Sequence, residues 1–193
     1  VHDSWNIEAS SVWLLDEVEQ TLRVLTNVGT PMEVLSQVAV PVGKGFVGHV
    51  AETGKWIYTN DAPVHPVFYH EVDELTGFVT HSLLCVPLVF GGKVIGAMQL
   101  LNKVNDAFDD QDVERALTIA SAIAIAVTNA LLFEDATRRK HHLEATLEHT
   151  NHPILILDTT NRIVSLNQDA RKQLGLNKEV IGQPLQAVLA ISE

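Results

Sequence analysis

Apolar residues fill positions 12–15 within residues 10–16 and recur at Leu22, Val24 and Leu25 in residues 20–25, with polar Glu17 and Glu19 between the two runs. This pattern predicts two strands joined as a hairpin. A short strand is expected at residues 36–40. Residues 43–54 read as a loop turning into a short helix, with Gly54 as its C-terminal cap. Residues 60–81 are dense in Pro, His and Asp and read as a loop, with one or two helical turns within residues 67–75. The clearest hairpin joins residues 82–90 to residues 93–101 through Gly91-Gly92. Paired glycines supply the positive φ angles that a two-residue hairpin turn needs. Pro87 has no N–H and places its strand at an edge or a bulge.

From Asp109 or Asp110, either of which can cap it, a long helix begins. Val113, Leu117, Ala120, Ala124, Val127 and Leu131 recur at three- and four-residue spacing and mark one buried stripe. No breaker occurs before about Thr150, which gives roughly 40 residues and about 60 Å. Residues 116–133 carry no charge, but alanine is their commonest apolar residue and Thr118, Ser121, Thr128 and Asn129 interrupt them. A membrane span wants about 20 strongly apolar residues, so a buried or partner-facing helix is expected instead. Leu143 and Leu147 continue an apolar edge past the first domain, where no sheet remains to cover them. That predicts a parallel homodimer through residues 109–150. After Pro153, residues 154–157, 158–161 and 162–166 read as strand, turn and strand, followed by a helix at 168–174 and then Gly175. These are too few strands to close a second core, so the second domain is expected to be cut short.

Composition narrows the function. With 46% hydrophobic and 19% charged residues the chain is globular. A formal net charge of −11, with no basic cluster longer than Arg138-Arg139-Lys140, argues against nucleic acid as a partner. The lone Cys85 allows no intrachain disulfide and points to a reducing, cytoplasmic setting.

Several motifs, in order, resemble the GAF domain pattern across about residues 8–135. They are the run from Val42 to Gly54, Asn60-Asp61-Ala62, His65-Pro66-Val67-Phe68, Asp73 to Phe78, and Leu84 to Leu88, followed by Gly96 and Asn102-Lys103. The resemblance implies an α+β fold: a central antiparallel sheet flanked by helices, and a long C-terminal connector helix. The domains would be residues 1–135 (GAF, its first helix incomplete), 136–150 (connector) and 151–193. The last stretch resembles the start of a PAS domain through Ile154 to Asp158, Asn161-Arg162-Ile163, Asn167, Ala170, Leu174-Gly175, and Glu179 with Gly182. The nearest subgroup in pattern is the cyclic-nucleotide-binding GAF domains of phosphodiesterases and adenylyl cyclases. Its Asn-Lys…Phe-x-x-x-Asp-Glu signature is matched by Asn102, Lys103, Phe108 and Asp112, where Lys and Asp are implied to form an ion pair. Val113 stands where that signature has Glu. Carried over by position, the ligand contacts would be Ser11, Phe46, Val47, Tyr69, Asp73, Thr76, Thr80 and Gln99, with cAMP or cGMP as the ligand. The acidic base reader that the family often carries is replaced by Leu25-Thr26.

Other chemistries fit less well. Gly43 to Gly48 lacks the Gly-Lys-Ser/Thr ending of a phosphate loop. His65, His70 and His81 with Asp61 and Asp73 lack a compact metal-ligand spacing and read as a polar lid. His141, His142, His149 and His152 read as a solvated helix face and not as phosphoacceptors. Cys85 reads as a small core residue and not as a bilin attachment site. Asp73-Glu74 is no catalytic dyad by spacing alone, and no nucleophile elbow occurs. The expectation is therefore a non-enzymatic sensory module, relaying a small-molecule signal to an output domain such as a histidine kinase or a cyclic-nucleotide or cyclic-dinucleotide turnover enzyme. Two alternatives stay open: a vestigial pocket serving only dimerisation and relay, or a different ligand such as an amino acid, a 2-oxoacid or a tetrapyrrole.

Overall fold

The computed structural model describes residues 5–189, which pack as two compact units divided at Asn129 and Ala130. The first is built on a six-stranded antiparallel sheet: β1 (Ile7–Asp16), β2 (Thr21–Val28), β3 (Ala39–Pro41), β4 (Ile57–Thr59), β5 (Leu83–Phe90) and β6 (Lys93–Lys103), in spatial order β3-β2-β1-β6-β5-β4. It is accompanied by the helices α1 (Met32–Leu35), α2 (Gly45–Thr53), α3 (His70–Thr76) and the 39-residue α4 (Asp110–Glu148), which runs on into the second unit.

Side chains alternate across a strand, and here both faces are covered. Leu84, Val86 and Leu88 of β5, with Met98 and Leu100 of β6, meet Val113, Ala116, Ala120 and Ala124 of α4 in one core. Leu83 and Cys85, with Ala97 of β6 and Trp13 of β1, pack on the opposite face against Phe46, Val47 and Val50 of α2. Double-sided burial explains why β5 reads as a nearly unbroken apolar run. The glycine pair closes the β5–β6 hairpin as expected, with φ of 58° and 79°. The expectation for Pro87 is met by both routes. β4 pairs only with Leu83, Leu84 and Cys85, so the far side of β5 is open from Val86 onward, and a bulge follows between Leu88 and Val89.

The strand expected at residues 36–40 is a misreading. The chain makes the single helical turn α1 first, and the strand is only Ala39–Pro41. The Ser36 hydroxyl and the Gln37 amide both donate to the Glu33 carbonyl, which prolongs the turn, while Leu35 and Val38 supply the buried contacts. β4 was not foreseen at all. It has three residues and none is fully buried, so it carries little periodicity. The helical turns within the 60–81 loop are present as α3.

In the second unit β7 (Leu155–Leu157) and β8 (Ile163–Leu166) form a two-stranded sheet, followed by α5 (Gln168–Gln173), a 3-10 turn (Lys178–Val180) and α6 (Leu185–Leu189). Ile163, Leu166, Ala170 and Val188 make a small core. Asn167 caps α5 by accepting from the Ala170 amide, and also accepts from the Ile154 amide. Its own amide group donates to the Leu147 and His152 carbonyls and to the Thr150 hydroxyl, so all its polar atoms are satisfied. This one buried side chain ties the end of α4 to the sheet of that unit.

Candidate functional site

The cavity-side face of the first unit holds a pocket walled by β1, β6, α2 and α3. The eight residues assigned from the resemblance, Ser11, Phe46, Val47, Tyr69, Asp73, Thr76, Thr80 and Gln99, all line it. They come from sequence positions almost 90 apart and are gathered by register: Ser11 pairs with Gln99 across β1 and β6. The cavity has a volume of about 60 Å³. One water needs about 10–15 Å³ on that measure, so the closed site has room for a few waters.

α2 presents its first turn, Gly45, Phe46 and Val47, to the pocket. The chain reaches it through Gly43 at φ 83° and Gly45 at φ 59°. Lys44 precedes the helix without a side-chain cap, so no side chain at the N-cap satisfies the first-turn amides, which no helix can satisfy internally. The Phe46 ring lies 5.1 Å from the His65 ring and 6.3 Å from Phe68, and His70 meets Phe68 edge-on at 4.5 Å. His65 and His70 thus act as ring-packing partners. Among the described residues no group of three or more His, Cys, Asp or Glu side chains gathers to hold a metal.

α3 is attached differently. Asp73 accepts from the Thr80 amide at 2.7 Å with one carboxylate oxygen and from the Thr80 hydroxyl at 2.8 Å with the other. Among the described residues Asp73 is the only carboxylate lining the pocket, and both its oxygens are therefore engaged, closing the segment from 73 to 80 into a clasp. Thr76 donates to the Val72 carbonyl at 2.8 Å. The Tyr69 hydroxyl donates to Glu71, a bond that holds the phenol proton and raises its pKa, with lesser help from desolvation and the Glu71 charge. On β1 the Ser11 hydroxyl accepts from the buried Trp13 indole at 2.8 Å. The Gln99 side chain lines the pocket beside Ser11.

Sequence reasoning missed Trp13, Asn27, Thr30, Phe68, Val72 and Phe78, which also line the pocket. Trp13 and Ser11 stand two apart on one strand and so share a face, a signal that was available. Asn27 was not legible, because β2 runs three residues further than its apolar pattern indicated. Its amide donates to the Thr30 carbonyl at 2.5 Å.

Behind the pocket, the signature residues form one scaffold. Asn102, at φ 54°, accepts from the His81 and Ser82 amides at 2.7 and 3.2 Å and donates to Glu8 and the Val79 carbonyl. Lys103 contacts Asp112 at 2.5 Å and Asp106 at 3.2 Å, with the Asp112 side chain only 4% exposed. Asp109 accepts from the Asp112 amide, and Asp112 returns the bond to the Asp109 amide, a reciprocal cap that starts α4. The Phe108 backbone is held at both ends by the Asn60 side chain. Val113, in place of the signature's Glu, is buried in the core under the sheet, a position where an unpaired carboxylate would be costly.

Comparison with known proteins agrees with this architecture. The chain is 36% identical over 118 residues to a dual 3',5'-cyclic-AMP and -GMP phosphodiesterase 11A of Takifugu rubripes, covering 60% of this chain and 13% of that protein. It is 36% identical over 101 residues to a cGMP-specific 3',5'-cyclic phosphodiesterase of Drosophila virilis, covering 51% of this chain and 11% of that one. The chain thus spans only a small part of the curated relatives it matches. Among solved structures, the GAF domain from a phosphoenolpyruvate-protein phosphotransferase of Coxiella burnetii superposes with a TM-score of 0.64 at 21% identity, covering 69% of this chain and 79% of that one. The GAF domain family model matches residues 3–128. The chain belongs to the GAF domain family, whose members are regulatory small-molecule-binding modules.

Proposed function

We propose that this chain is the input section of a larger signalling protein. Its GAF pocket takes a cyclic nucleotide, cAMP or cGMP, and α4 carries the bound state to an output domain such as a histidine kinase or a cyclic-nucleotide turnover enzyme. One observation carries the reading: eight residues assigned by position alone surround a single cavity, and relatives 36% identical are described as cyclic-nucleotide phosphodiesterases. Phe46 and Tyr69 offer ring faces to a purine. The first-turn amides of α2 face where a phosphate would sit, favoured there by the helix dipole. The Thr76 and Thr80 hydroxyls and Gln99 supply polar contacts to ribose or base.

Ligand pockets run to about 300–1,000 Å³, so the closed cavity must enlarge, and α3 is the wall that can yield. In this account the ligand competes for Asp73 with Thr80, the clasp opens, and the difference in affinity between the open and closed states supplies the signal. The module works as a parallel homodimer through residues 109–150 in the cytoplasm, and the second unit is the beginning of a PAS domain. The Asp158 turn, the Asn167 cap and the following helix support that last assignment.

The test is calorimetric titration of the chain with cAMP and with cGMP, repeated on Gln99→Ala, which removes a pocket contact and leaves the clasp intact. Micromolar or tighter binding to one nucleotide, weakened about tenfold by the substitution, is the expected result. A second reading, a vestigial pocket in a dimerising relay, draws on the same small free volume and the engaged Asp73. Folded protein that gives no heat with either nucleotide would overturn the first reading and leave a relay module or a sensor of another ligand.

A further inference from the structure

α4 carries a second apolar stripe that the fold leaves uncovered. Over one 18-residue window its mean hydropathy is 2.1, long and apolar enough to cross a membrane by length and composition, yet only 17% of that window is buried. The face that is buried, through Val113, Ala116, Ala120 and Ala124, covers the sheet, so lipid cannot surround the helix there. On the opposite side Ala122, Ile125, Asn129, Leu132 and Ala136 recur at alternating three- and four-residue steps, Leu143 follows one heptad on, and every one is exposed. That is a heptad seam, with Ala122, Asn129, Ala136 and Leu143 at a positions and Ile125 and Leu132 at d.

We infer that this stripe is the seam of a parallel, in-register two-helix contact with a second copy of the chain, and that Asn129 and the Asp135–Lys140 pair fix its register. The inference rests on the dimer reading above and adds its geometry. In a parallel pair, a faces a and d faces d, so Asn129 meets Asn129 of the second copy and the two carboxamides hydrogen-bond. In an antiparallel pair a faces d, and each Asn129 is set against an apolar or charged residue. A lone Asn at an a position is a device that selects register and oligomer state at some cost in stability.

Charge complementarity points the same way. Asp135 falls at a g position and Lys140 at the following e position, the two places that oppose each other across a parallel seam. Within one helix they have only exposed partners, Arg139 for Asp135 at 2.8 Å and Glu144 for Lys140 at 3.9 Å. Such surface pairs contribute little, so exchanging them for cross-helix pairs costs little. Arg139 occupies the next d position and weakens the stripe beyond Ala136, so the seam is tightest between Ala122 and Ala136.

Single-cysteine crosslinking tests this, because Cys85 is fully buried and will not compete. Ala122→Cys, Asn129→Cys and Ala136→Cys should each form a disulfide-linked dimer with itself under mild oxidation. Asp135→Lys should weaken dimerisation about tenfold in sedimentation, and adding Lys140→Asp should restore it. If Ala122→Cys crosslinks with Leu132→Cys and not with itself, the pair is antiparallel, with a facing d: the register proposal falls while the dimer stands. If the unmodified chain sediments as a monomer at every concentration, the dimer reading falls too. Binding of the monomer to phosphatidylcholine vesicles would overturn both in favour of a lipid-covered stripe.

Discussion

Two helices wall the same pocket and are held in opposite ways. Gly45, Phe46, Val47, Gly48 and Val50 of α2 are buried, and the turn beneath them is so close that a Cβ at Gly48 would stand 2.3 Å from the Pro41 carbonyl oxygen. No residue of α3 is buried. It is retained by the partly buried Val72 and by the two bonds from Thr80 to Asp73, and it ends at Gly77, where an added Cβ would meet nothing within 4 Å. One wall is part of the core and the other is fastened to it. A site of this kind can admit a ligand at the cost of a few hydrogen bonds while the domain stays folded, because opening free energies are low where little apolar surface is buried.

The contrast breaks most visibly at Gly48→Ala. With backbone on the opposing side, the added methyl cannot be relieved by a side-chain rotation, and a loss of about 3 kcal/mol or more in urea unfolding is expected. An effect below about 1 kcal/mol would show that α2 is looser than its burial implies.

Lys103→Ala comes next, with a loss of about 3 kcal/mol, because it strands the buried Asp112 carboxylate behind the rigid wall. Burial is the largest influence on the Lys103 pKa and pulls it down. The bonds and charges of Asp112 and Asp106 together outweigh it, and the net shift is upward. A folded value above the unfolded value, about 10.4, means that the pair stabilises fully below that pH and less as pH climbs through the folded value. The stability gap between the unmodified chain and Lys103→Ala should therefore be flat from about pH 7 to 9 and shrink only at stronger alkalinity.

Asp73→Ala should cost less overall, about 2 kcal/mol, since it leaves the Thr80 amide unpaired but disturbs no core. Its signature is local: faster hydrogen exchange across residues 70–80 with α2 amides unchanged. Exchange that accelerates equally in both helices would erase the distinction between the walls. Smallest is Gly77→Ala, about 1 kcal/mol from strain at φ 68° alone, read as fraying of α3 with little change in global unfolding.

The division between the walls also explains what the sequence revealed. The β5–β6 hairpin was legible because Gly91-Gly92 admits few alternatives and the flanking runs are long. The helix α2 was legible from its glycines, and α4 from a stripe sustained over many turns. α1 and β4 were not, since elements of three or four residues fall below the length at which periodicity registers, and their positions are set by tertiary contacts of Leu35 and Val38 and by pairing with Leu83–Cys85. For the pocket, the resemblance named eight residues, and the structure places all eight around one cavity. It could not show that Asp73 is already bonded to Thr80, because a short-range contact between a helix and the loop after it leaves no periodic trace. Cys85, read as a core residue, is fully buried and its thiol is pushed far up by burial.

β4 stops after three residues, so the second half of β5 offers unpaired backbone to the surroundings. A stretch of that kind is where another chain could add as a further strand and extend the sheet without limit. Pro87 removes one donor in that stretch, and the bulge at Leu88–Val89 turns the backbone aside. At high concentration the first unit is thereby protected against open-ended fibre growth along its sheet, leaving closed association through helices as the safer way for copies to meet.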